Sequence, residues 1–289
     1  MMMLLWGAVG CEALPPDPPE LAWSKLRNPV LSRSDGVKDA FAVHEAGRCH
    51  LGYSLLTEDP SFRIRLGFSS TPDLLAPLSE DSIDQPELGG LASPDVVRAP
   101  DGRFVMTHNS HTHDVGTVES KLYHRTSTDL VTWSAPSRFH VEGADHDEDR
   151  LIDAALAYTD TGAFLFFKLD QAMQVAYAAG HSLDGPWTLV GALDPASVEN
   201  PQLLLIDGVW HLLATTIPVI HHPRLYRLTG DPGDPQAWLH FELVRELAIP
   251  QQRWNGGSDE LSAERDTART SSIATPTTAT TCCTQAATS

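Results

Sequence analysis

The sequence predicts an all-β chain, a β-propeller, and three observations carry that expectation. A hairpin layout recurs four times, a second turn element follows each copy at a similar distance, and helical periodicity is almost absent. The first copy runs from Asp39 to Gly47 and continues into RCHLGYS; the second runs from Asp95 to Gly102 and continues into RFVMTHNS. The third runs from Asp153 to Gly162, then AFLFFK, and the fourth from Glu199 to Gly208, then VWHLLATT. Each pairs two apolar runs across a Gly-containing turn, the signature of a β-hairpin.

The second element reads Ser70-Thr-Pro-Asp73, Thr126-Ser-Thr-Asp129, His181-Ser-Leu-Asp184 and Leu228-Thr-Gly-Asp231. Its Asp follows the turn Gly by 26, 27, 22 and 23 residues, and Trp133, Trp187 and Trp238 close the last three copies. Gly-to-Gly periods of 55, 60 and 46 residues suit four-stranded blades. Strand aromatics such as Phe164, Phe166 and Phe167 are expected between blades.

Composition narrows the function classes. With 42% hydrophobic and 20% charged residues the chain has material for a core, and no apolar run is long enough to span a bilayer. A formal charge of −18 without clustered Lys and Arg excludes nucleic acid as a partner and suits a neutral substrate. Cys49, in a strand, is expected to be a buried free thiol, and the four Cys give no disulfide framework or zinc spacing.

Both ends read differently from the middle. Ala8-Val9-Gly10-Cys11 resembles a bacterial lipobox, so residues 1–20 read as a lipoprotein signal and tether, with an extracytoplasmic, Cys11-anchored or periplasmic location. The basic segment of a signal peptide is missing, so a ragged terminus is the equal alternative. Residues 21–255 form the propeller domain, residues 20–30 being one strand of a last blade. Residues 256–289 are poor in apolar side chains and read as a disordered, frameshifted or truncated tail, leaving the C-terminal blade incomplete.

In a propeller the first strand of each blade lines the axis. The four acids lie 8, 7, 9 and 9 residues before their turn Gly, nearly at one height. Carboxylates sharing a partly desolvated site repel one another, which separates acid from base roles.

These segments resemble glycoside hydrolase family 43 and its relatives, families 62 and 117, over roughly residues 25–245. The likeness lies in Val-Lys-Asp39-Ala-Phe, Ser93-Pro-Asp95-Val, Leu-Ile-Asp153-Ala-Ala, Val-Glu199-Asn-Pro-Gln and RTSTDLVTW. Ala40 and Ala154 stand where the family often has Pro, and Ser93 stands where the second-blade segment has Ala. Lys38-Asp39-Ala-Phe and Ile152-Asp153 are also similar to family 62 arabinofuranosidases, whereas the β-fructosidase motif is absent.

The resemblance implies a five-bladed propeller and a glycosidase acting on polysaccharide or oligosaccharide, arabinofuranoside or xyloside above all, with inversion. It implies Asp39 as general base, Asp153 as pKa modulator and Glu199 as general acid. No metal or redox cofactor is required, although the acidic run Asp145–Asp149 raises a structural calcium ion, weighed below a solvated loop. Asp95 is read first as structural and second as substrate-binding, and one of Phe41, Tyr53 and Trp23 is a candidate sugar-stacking platform. His111, His113 and Asp114, in HNSHTHD, read first as a polar loop at a blade mouth, then as subsite lining, with a metal site as the further alternative; Arg224 is a candidate subsite residue against a surface cation. The alternative function is an inactive propeller that binds carbohydrate or a protein partner.

Overall fold

A computed structural model describes residues 36–56, 64–72, 79–111, 120–144, 146, 149–194, 197–216 and 223–247. Among these the chain folds as a β-propeller of four sheets, each an antiparallel meander of consecutive strands. Blade I holds β1 (Gly36–Glu45), β2 (Arg48–Leu56), β3 (Ile64–Thr71) and β4 (Ser79–Ile83). Blade II holds β5 (Leu91–Arg98), β6 (Phe104–Ser110), β7 (Leu122–Ser127) and β8 (Ser137–Arg138). The short β9 (Val141–Glu142) pairs in parallel with the outer strand of blade III. Blade III is β10 (Leu151–Tyr158), β11 (Gly162–Leu169), β12 (Ala172–Ala179) and β13 (Trp187–Ala192). Blade IV is β14 (Val198–Ile206), β15 (Val209–Thr216), β16 (Pro223–Leu228) and β17 (Phe241–Glu246).

The predicted hairpins are the first two strands of each blade. Ala46-Gly47 and Asp207-Gly208 both take positive φ at adjacent residues, as tight hairpin turns require. The second sequence element joins the third and fourth strands. There Asp129 Oδ1 accepts from Val131 N at 2.9 Å and Thr132 N at 2.7 Å, and Asp231 Oδ1 accepts from Gly233 N at 2.8 Å. The tryptophans that follow seal the gaps between blades. Trp133 packs between blades I and II, Trp187 between II and III, and Trp238 between III and IV. Trp238 Nε1 donates to Pro232 O at 3.0 Å, so its one polar atom is satisfied while its ring stacks on Phe164.

The inner strands β1, β5, β10 and β14 pack consecutively about the axis. No comparable packing joins β14 to β1 among the described residues, although Gln202 Nε2 donates to Ala40 O at 3.2 Å. The expected fifth-blade material, residues 20–30 and the chain after Leu247, lies outside the described residues, as do Cys11 and the tail.

One expectation is corrected here. Cys49 is not a free thiol but is disulfide-bonded, and its partner lies outside the described residues because the other three Cys do. Strand position and burial alone could not distinguish the two, since both states are buried.

Candidate active site

The inner strands share one irregularity. Each loses register with its neighbour at a β-bulge, between Lys38 and Phe41, Ala92 and Asp95, Ile152 and Ala155, and Glu199 and Gln202. Within each bulge one residue takes positive φ: Asp39 (52°), Ser93 (52°), Asp153 (56°) and Asn200 (51°). A left-handed non-glycine residue costs on the order of 1–3 kcal/mol, and such strain gathers at functional sites. Four equivalent instances around one axis aim four polar side chains at the same end of the channel.

This register refines the expected equivalence of the four acids. Asp39 and Asp153 are true counterparts, joined at that position by Ser93 and Asn200. Glu199 lies one residue before the bulge position of its blade, and Asp95 lies two after it. Counting back from a turn Gly could not resolve this, because the hairpin arms differ in length by a residue.

Asp39 and Asp153 are both buried, at 8% and 7% exposure, and both line a pocket with Ala40, Ser93, Asp95 and Asn200. Three donors converge on Asp39 Oδ2: Lys38 Nζ at 2.9 Å, Ser54 Oγ at 3.1 Å and Ser93 Oγ at 3.2 Å. Ser93 Oγ also lies 2.7 Å from Asp153 Oδ1. Burial, then the charge of Asp39, pushes the Asp153 carboxyl up to about 6, against the pull of Lys38. Burial would lower the Lys38 ammonium, but the charges of Asp39, Asp153 and Glu199 outweigh it and hold it raised. Burial pushes Asp95 up to about 7, partly offset by the Val96 backbone N–H.

Glu199 forms an ion pair with Lys168, Nζ to Oε2 at 2.8 Å, and the Lys168 side chain is only 6% exposed. Lys168 comes from the second strand of blade III and reaches forward to blade IV. The same pattern repeats around the ring. Ser54 on β2 accepts from Ser93 N of blade II at 2.8 Å, and Asn109 Oδ1 on β6 accepts from Asp153 N of blade III at 3.4 Å. Thr215, the matching residue of β15, donates instead to Glu199 O of its own blade at 3.1 Å.

Sequence reasoning gave no site role to Lys38 or Ser93, which it named only within motifs, and did not single out Ser54, Asn109, Lys168 or Thr215. A signal was present: the second strands RCHLGYS, RFVMTHNS, AFLFFK and VWHLLATT turn from apolar to polar at their ends.

Three expected contacts fall elsewhere. The Phe41 ring is buried against Gly52 in the core between blades I and II, and Tyr53 is buried over Gly67 with its hydroxyl 3.1 Å from Ser69 Oγ. Neither offers a free face to a sugar, because glycine on the adjacent strand gives the ring room to lie flat inward. Arg224, on the third strand of its blade, pairs with Glu246 on the fourth at 3.0 Å. His111 follows β6 and is partly exposed, its N–H donating to Gly90 O at 2.9 Å; His113 and Asp114 lie outside the described residues. Among the described residues no group of three or more His, Cys, Asp or Glu is placed to hold a metal ion. The acidic run near Asp145 is described only in part.

Fold and site together define a propeller with paired axial carboxylates. Comparison with solved structures gives the same fold. A candidate glycosidase from Bacteroides thetaiotaomicron superposes with a TM-score of 0.60 at 17% identity, over 82% of this chain and 87% of that one. The catalytic domain of a family 62 α-L-arabinofuranosidase from Coprinopsis cinerea gives 0.55 at 17% identity, over 75% and 72%. An α-L-arabinofuranosidase from Lactobacillus brevis gives 0.55 at 14% identity, over 75% of each chain. No family model matches the chain, and no curated protein matches its sequence.

Proposed function

We propose that the protein is a glycoside hydrolase acting on arabinofuranoside or xyloside residues of a polysaccharide or oligosaccharide, with inversion. The observation that carries this reading is the Asp39–Ser93–Asp153 cluster in the axial pocket, with Glu199 one strand further round. Asp39 is the general base: all the contacts at its Oδ2 are donors, the set that suits a carboxylate ready to accept a proton from water. Glu199 is the general acid for the leaving oxygen. Asp153, holding its proton to higher pH, modulates the cluster and donates a hydrogen bond to sugar or neighbour. Asp95, its carboxyl pushed up to about 7 by burial, stands in the pocket wall.

The Lys168–Glu199 ion pair favours a second reading, a propeller that binds carbohydrate without cleaving it, since an acid must be protonated to donate. In the catalytic reading, substrate entry separates this pair and frees Glu199 to face the leaving oxygen. A panel of aryl glycosides and arabinoxylan oligosaccharides decides between them. Turnover with accumulation of the inverted anomer supports the hydrolase; calorimetric binding with no product supports the binding module.

A further inference from the structure

The hydroxyl of Ser93 lies between two buried carboxylates, 2.7 Å from Asp153 Oδ1 and 3.2 Å from Asp39 Oδ2. Ser93 occupies on its blade the bulge position that Asp39 and Asp153 occupy on theirs. A hydroxyl carries one hydrogen and can donate to one carboxylate only. With both acids ionised, one of its two contacts is acceptor against acceptor. With Asp153 protonated, both contacts become hydrogen bonds: Asp153 donates to Ser93 Oγ, and Ser93 Oγ–H donates to Asp39 Oδ2. Ser54 cannot serve in the same way, because its Oγ accepts from Ser93 N and donates to Asp39 alone.

We propose that Ser93 is a proton-transfer bridge between Asp39 and Asp153, resting on the glycosidase reading above. In each turnover Asp39 takes a proton from the attacking water and must shed it before the next. The bridge does so in one concerted step. The Asp39 O–H bond breaks as a new Ser93 Oγ–H bond forms, and the hydrogen that Ser93 held passes to Asp153 Oδ1. The step starts with Asp153 ionised: one proton moves from Asp39 to Asp153, one negative charge moves the other way, and Asp153 releases the proton to water in the pocket it lines before the next turnover. No co-reactant is consumed.

The test compares wild type with Ser93→Ala and Ser93→Gly. Ser93→Gly removes the hydroxyl and also relieves the backbone strain at φ 52°, so its Tm should equal or exceed that of wild type. Both variants should lose about tenfold or more in kcat with little change in KM. A carboxyl ¹³C titration of Asp-labelled protein supplies a readout independent of turnover. The singly protonated pair loses two hydrogen bonds without Ser93 and the doubly ionised pair only one, so the upper titration step should fall by about one pH unit. An unchanged kcat, or an upper step that stays or rises, overturns the bridge; a rise would mean that Ser93 only donates to ionised Asp153. If wild type cleaves no glycoside, the glycosidase reading fails, and the carboxyl titration alone decides whether Ser93 links the two acids.

Discussion

Asp39 and Asp153 sit at the same position of two different blades, each the left-handed residue of an inner-strand bulge, with φ of 52° and 56°. Because the bulges point inward, two carboxyls that are 114 residues apart in sequence meet a common hydroxyl, that of Ser93. The repeat that builds the fold also builds the site.

Replacing either acid by Asn keeps its size and tolerates positive φ, so the fold should stand. Asp39→Asn is expected to lower kcat by about 10³-fold or more, through loss of the base. Asp153→Asn should lower it less and shift the low-pH limb of the rate profile, because the carboxyl that burial pushes up to about 6 is gone. Initial rates from pH 4 to 9 measure both.

Lys168→Met removes the ammonium that faces Glu199 at 2.8 Å. The ion pair fixes where the Glu199 carboxyl sits, so the variant should lose about tenfold or more in kcat/KM. An unchanged kcat/KM would show that Lys168 does not position Glu199 during turnover.

Two buried groups give stability opposite slopes with pH. His108 is fully buried, and burial followed by the Arg125 charge lowers it to about 3. Between there and its ordinary value near 6.5 the unfolded chain binds the extra proton, so this contribution is lost as pH falls. Asp95, raised to about 7, binds its proton in the folded state, so its contribution is lost as pH rises from about 4 to 7. His108→Gln should flatten the acid side of a Tm–pH curve, and Asp95→Asn should flatten the neutral side.

Trp238 is fully buried and touches Phe164, Phe166, Trp210 and Phe241. Trp238→Ala should cost roughly 3–5 kcal/mol, because the cavity opens between two blades that cannot collapse together. Urea denaturation gives this directly, as a lower midpoint at an unchanged slope.

The propeller was legible in the sequence because its repeat is carried by residues with obligatory local roles: the turn glycines, the Asp that caps the third-to-fourth-strand loop, and the Trp that follows it. That Asp39 and Asp153 fall on the inner strands of two blades was legible for the same reason, since they stand in the repeat. The bulge was not legible. It depends on pairing between strands, and only that pairing makes Ser93 the counterpart of Asp39. Phe41 and Tyr53 were misplaced because an aromatic residue looks the same in sequence whether its ring lies over a glycine inside the sheet or over a sugar. Lys168 was missed because its partner is on the next blade, 31 residues on.

The proposed function requires that the axial carboxylates cleave a glycosidic bond. The most direct measurement is turnover of α-L-arabinofuranosides and β-D-xylosides with good and poor leaving groups, by wild type and by Glu199→Gln. Wild type should cleave substrates with both kinds of leaving group, and the variant should keep measurable activity only on the good one. Equal losses on both, or the same rates in wild type and variant, would contradict Glu199 as the acid. No cleavage of any glycoside by folded wild-type protein would contradict the hydrolase itself.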